Sequence, residues 1–248
     1  MSFLIAKFVA IAILGFFTSF VGTTTGGMGI VLVPLLVFLG LSPHAAIATT
    51  RFAVLGGDIP SLDRLHRAGK SDAKLVLPVL ILSIVGAFIG SELLLLSPGP
   101  LVEKLLGGFI LLSVVLTFLR PALGVRPAHP SALRRAVGYV SLLGTSVLGT
   151  YFSAAAGMLG RTTLMACFGQ TSLQSAATRK VQGIAMGVTG SLLFAWAGII
   201  SVPVSLVLFP SVLLGAIAGS SYALRKGDAW ARSLFLLVAL AAGISLLL

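Results

Sequence analysis

The sequence predicts an all-α polytopic membrane protein, and two observations carry that assignment. Of 248 residues, 57% are hydrophobic and only 9% charged, with a mean hydropathy of +1.11. A soluble domain needs roughly a quarter charged residues to cover its surface. The charges are also clustered: no Asp, Glu, Lys or Arg occurs from Phe8 to Thr50 or from Val181 to Leu224. Runs of about 18 or more apolar residues read as spanning helices, because only helices satisfy their own backbone groups in lipid. The alternating strands of a membrane barrel are absent.

Ten apolar helical segments follow in order, at about 3–21, 28–40, 45–60, 75–96, 103–119, 135–156, 160–169, 174–198, 203–223 and 230–248. The first contains Lys7 but no cleavage site, and is expected to remain as a helix. Segments 28–40 and 160–169 are too short to cross a bilayer straight, so eight to ten segments span. Each follows a glycine-rich break, Gly22–Gly29 and Ala154–Gly160.

These breaks suggest two copies of one unit: 1–119, a basic linker 120–134, and 135–248. Gly26 and Gly29 match Gly157 and Gly160, Thr50-Arg51 matches Thr178-Arg179, and Gly86/Gly90 match Gly215/Gly219, at spacings of 131, 128 and 129. Loops 61–74, 120–135 and 224–232 hold eleven of the seventeen Lys and Arg residues. Cytoplasmic loops are basic, so these loops are expected inside, which inverts the second copy relative to the first and puts both termini outside. Lys7, Lys104 and Arg161 are then assigned to the outer side. The net charge of +11 is explained by this distribution and excludes nucleic acid as the partner.

Inverted copies with glycine-interrupted short helices point to a ligand site near the bilayer midplane. A broken helix presents backbone N–H groups and a positive dipole end. Gly26, Gly27, Gly29, Gly157 and Gly160 would admit a ligand to that backbone, and Thr24, Thr25, Thr50 and Thr178 would add hydroxyls. An arginine near the bilayer centre costs about 2.5–3.5 kcal/mol on insertion scales, so it faces a partner or a wet cavity. Arg51 lies seven residues past His44, about midway along its segment, and Arg179 is its mate in the second copy. With only six acids in the chain, two cations favour an anionic ligand with oxygens suited to guanidinium forks. The competing reading has Arg179 and Lys180 snorkelling to the surface. Gly86/Gly90 and Gly215/Gly219 read as close helix-packing contacts. Asp58 and Glu92 are candidates for carrying a coupling proton. One cysteine and three scattered histidines offer no metal site and no catalytic grouping appears, so no cofactor and no enzyme activity are expected.

The residues also resemble the sulfite exporter TauE/SafE family of membrane transporters. The likeness runs through Gly22–Gly29 with Ile30-Val-Leu-Val-Pro-Leu35, the Gly40 turn, Ala45–Thr50, the Gly69 loop and Gly86–Gly90, and more loosely from Gly157 to Gly219. It implies a multi-pass inner-membrane carrier for sulfur-containing or organic anions such as sulfite or a sulfonate. With the inverted copies, the expected function is a secondary carrier, of exporter type, whose halves expose the site alternately. The chain departs from the family pattern at Thr23–Thr25, at Thr50-Arg51 and at Leu164-Met165. An intramembrane enzyme and a non-transporting accessory subunit are the alternatives. The expected partners are the anion and the bilayer, with a homo-oligomer left open.

Overall fold

The computed structural model describes residues 2–25, 28–102, 104, 105, 108, 130–153 and 156–247. Among them there is no strand. The helices are α1 (Ser2–Thr25), α2 (Met28–Phe38), α3 (Pro43–Arg67), α4 (Ala73–Leu96), α5 (Ala132–Phe152), α6 (Ala156–Phe168), α7 (Ser172–Trp196) and α8 (Val202–Leu247). The last is broken at Gly227, whose φ of 82° is non-helical. Three stretches, Ala6–Thr23, Ala73–Leu96 and Val202–Gly227, are long and apolar enough to cross a membrane. Most of the expected segment 103–119 and most of the linker lie outside the described residues.

Local chemistry sets the ends of these helices. Ser42 caps α3 by accepting from the Ala45 N–H, with Pro43 following it, an arrangement that occupies orphan first-turn donors. Thr171 and Gln174 form a reciprocal capping box at the start of α7. Glycines in left-handed conformation stand at corresponding places around both helices: Gly40 and Gly169 before them, Gly69 and Gly198 after them. Counted from the caps, Arg51 is the ninth residue beyond Ser42 and Lys180 the ninth beyond Thr171. By distance from the caps, Lys180 and not Arg179 stands at the place of Arg51, and Thr178 at that of Thr49.

Two further expectations change. Helix α3 runs to Arg67, well past residue 60, so Arg64 and Arg67 belong to its last turns and not to a loop. Cations there complement the negative end of the helix dipole. Arg161 is not on the outer surface. It is buried in α6, where Nη2 donates to the Ser172 carbonyl oxygen at 2.7 Å.

Packing divides the bundle into two groups: α1, α2 and α3 with α8, and α5, α6 and α7 with α4. Helices α1 and α8 run parallel, as Gly15 meets Leu208, Ser19 donates to the Val212 carbonyl and Phe20 meets Gly219. Helices α4 and α5 are parallel too, from Ser83 beside Ser146 to Ser97 beside Tyr151. Both parallel seams are glycine seams. A Cβ on Gly86 would stand 2.6 Å from Ser146 Cβ and one on Gly90 would overlap the Val147 carbonyl oxygen. On Gly215 and Gly219 it would overlap the Phe16 and Phe20 carbonyl oxygens. The helix-packing reading of these four glycines holds.

Helices α3 and α7 meet antiparallel between the groups, with Arg51 against Gly190, Leu55 against Gly187 and Asp58 against Gly183 and Lys180. Outward faces expose Phe17, Leu77, Phe88, Val140, Leu192 and Leu206, as a lipid-facing surface requires.

Candidate functional site

The polar interior is concentrated where α3 crosses α7. Several buried hydroxyls elsewhere in the bundle are satisfied within their own helices: Ser61, Ser83, Ser146 and Ser220 each donate to the carbonyl four residues back. Gln182 ties α7 to α5 by donating to Thr145 and Ser146. The charged groups behave differently.

Arg51, Asp58, Arg179 and Lys180 line one cavity of ≈ 40 Å³. Its wall is completed by Ser19, Gly22 and Thr23 of α1, Met28 and Gly29 of α2, Val54 and Gly57 of α3, Gly149 of α5, Ser153, and Gly157 of α6. Both helix breaks thus open onto the same space as both arginines. Gly29 and Gly157 stand in the first turns of α2 and α6, where unpaired N–H groups and the positive dipole end are found. Ser153 ends α5 in a left-handed conformation (φ 53°), and its buried hydroxyl has no hydrogen-bond partner.

The cations are not equivalent. Lys180 Nζ donates to Asp58 Oδ1 at 2.7 Å, in a pair with side chains 10% and 6% exposed. Lys180 does not snorkel to the surface. Arg51 is 2% exposed, and neither its Nε nor that of Arg179 has an acceptor. Among the described residues, no ion pair joins either guanidinium to a carboxylate. Leaving a guanidinium in a low-dielectric interior without an acceptor is costly, and an anion in the cavity would offset that cost.

The remaining predicted residues divide. Gly160 packs against the Arg179 stem, where a Cβ would be 3.2 Å from Arg179 Cδ. Thr50 is buried in α3 with an unpaired hydroxyl but is not on the cavity wall. The Thr178 hydroxyl accepts from Gln170 Nε2 at 2.9 Å, and Thr178 is not on the cavity wall. Glu92 is half-buried on α4, also away from the wall. Gly26 and Gly27 lie outside the described residues; Thr24 and Thr25 close α1. Sequence reasoning missed Lys180, Ser19 and Gly149. For Lys180 the signal was present: Gly40/Gly169, Gly69/Gly198, Gly86/Gly215 and Gly90/Gly219 share a spacing of 129, and that spacing pairs Lys180 with Arg51.

A probable membrane transporter protein, ORF9, of Sinorhizobium sp is 29% identical over 241 residues, covering 94% of this chain and 89% of its own length. A probable membrane transporter protein of Haemophilus influenzae is 25% identical over 230 residues, covering 90% and 88%. The probable membrane transporter protein YfcA of Escherichia coli K12 is 26% identical over 226 residues, covering 88% and 81%. No solved structure matches the chain. The profile of one family, sulfite exporter TauE/SafE, matches residues 11–246, nearly the whole length and both helix breaks, and the chain belongs to that family.

Proposed function

We propose that this membrane transporter is a secondary carrier of a small oxyanion, with sulfite or a sulfonate as the leading substrates and export from the cell as its direction. The observation that carries the reading is the pair of guanidinium groups, Arg51 and Arg179, facing one cavity, each with a buried Nε that has no acceptor among the described residues. The cavity has room for about three water-sized groups at ~10–15 Å³ each. That matches a compact oxyanion head better than an extended organic acid. Guanidinium forks and the first-turn N–H groups at Gly29 and Gly157 would bind its oxygens. Thr23, Thr24, Thr25, Ser153 and the Gly26-Gly27 backbone are assigned supporting contacts. Thr50 and Thr178, which lie off the wall, are assigned to a second conformation of the site.

The chain is proposed to work by alternating access as a multi-pass protein of the inner membrane, built from inverted copies 1–119 and 135–248 joined by the basic linker 120–134. This reading is supported by parallel α1/α8 and α4/α5, antiparallel α3/α7 and the matched caps and glycine turns, as an inverted repeat requires. The moving bodies are the two packing groups, in which the copies exchange their fourth helices, α4 and α8. Their rocking would shear the α3–α7 crossing, where every charged site residue lies. Asp58, on the wall, is the proposed carrier of a coupling proton in preference to Glu92.

The test is flux of radiolabelled sulfite into sealed proteoliposomes. Arg51→Ala and Arg179→Ala should each reduce flux by on the order of a hundredfold or more, as loss of a buried charge-assisted contact of about 3 kcal/mol implies. Wild-type flux in both variants removes the proposed site.

A further inference from the structure

Three cations and one acid meet on the cavity wall, and the acid occupies a place an anion could take. Asp58 is 4% exposed and accepts from Lys180 across the crossing. Its carboxylate is seated in a notch made by Gly183: a Cβ there would overlap Oδ2 and stand 3.1 Å from Arg179 Nη1. Arg51 lies seven residues earlier on α3, two turns along the same face. Among the described residues, no other acid reaches this wall. Counted as charges, Asp58 cancels Lys180, and two guanidinium groups are left unopposed.

We infer that Asp58 is a specificity-determining residue: by neutralising Lys180 it leaves the cavity a surplus of two positive charges, so that the site selects compact oxyanions carrying two negative charges. This rests on the carrier reading above and adds the charge class of the substrate. A monoanion of the same size would leave one guanidinium uncompensated in a low-dielectric interior. At an effective dielectric constant of about 20, one unit charge several ångströms away alters anion affinity by on the order of tenfold or more. The plainer role for Asp58–Lys180, a staple between α3 and α7, predicts no dependence on the charge of the bound anion.

The experiment compares calorimetric binding of sulfate, a dianion, with that of methanesulfonate, a monoanion of similar size, to the detergent-purified full-length chain at pH 8. The wild-type protein should prefer sulfate by on the order of tenfold or more. In Lys180→Gln, Asp58 cancels one guanidinium and the preference should collapse toward unity. In the double variant Asp58→Asn/Lys180→Gln two cations again stand unopposed, and the sulfate preference should return. Asp58→Asn alone should bind sulfate more tightly, by about tenfold. A sulfate-to-methanesulfonate ratio that is the same in all four proteins, or a double variant that does not regain it, overturns the inference. Equal binding of both anions by the wild type also overturns it while leaving the carrier reading intact. A wild-type chain that binds neither anion removes the carrier reading itself.

Discussion

Arg51 and Lys180 differ in how well the sequence announces them. A lone charge inside a long apolar stretch is conspicuous, since lipid tolerates it only where a partner or water is at hand. Lys180 adjoins Arg179 near the start of its segment, where cations commonly snorkel, and its burial becomes evident only when the helix is counted from the Thr171 cap. The two side chains also have different needs: Lys180 has Asp58, whereas the Arg51 Nε has no acceptor. Removing one member of a buried pair strands the other, at about 3–5 kcal/mol. Asp58→Ala should therefore lower the thermal unfolding midpoint of the detergent-solubilised protein markedly. Asp58→Ala combined with Lys180→Met should recover most of the loss, and additive losses in the double variant would show that the pair is not coupled.

Among the elements, the helix breaks and the glycine seams were readable because both depend on short motifs. Gly86-Ala-Phe-Ile-Gly90 and Gly215-Ala-Ile-Ala-Gly219 put small residues four apart on one helix face. The structure adds their partners, the backbones of α5 and α1. Gly90→Val and Gly219→Val should each cost about 1–3 kcal/mol through overpacking. Gly144→Ala, with open space around it, should change stability by only about 0.5 kcal/mol. Thermal unfolding of the three purified variants checks this ranking. The full extent of α3 was not readable, because Arg64, His66 and Arg67 look like loop charges until they are recognised as the basic last turn of a helix. Arg161 misled for the opposite reason: its acceptors include the Ser172 carbonyl and Ser175, eleven and fourteen residues away, and hydropathy cannot see them.

For the molecule as a whole, composition was enough for an all-helical membrane protein, and charge-bearing loops for a proposed orientation. What they could not give was which helices touch, since parallel neighbours far apart in sequence leave no mark on local hydropathy. The proposed orientation makes a direct prediction. In a Cys167→Ala background, a single cysteine at Ser201 should react with a membrane-impermeant thiol reagent in intact cells, and one at Ser71 only after the cells are permeabilised. Labelling of both from one side would overturn the inverted arrangement. The exchange of α4 and α8 between packing groups also explains why the site sits at their boundary: only α3 and α7 bridge it extensively, and they supply all four charges.

The bond between Asp58 and Lys180 closes over 122 residues of chain, which has a bearing on biosynthesis. A ribosome adding about 5–20 residues per second needs roughly 6–24 s to make the stretch between them. Throughout that interval the newborn first half holds a carboxylate whose lysine is not yet translated, α4 lacks the helix that will cover its glycine face, and α1 lacks α8. The nascent protein must be sheltered by the insertion machinery until its second half arrives, so premature termination ahead of α7 should yield a fragment marked for proteolysis.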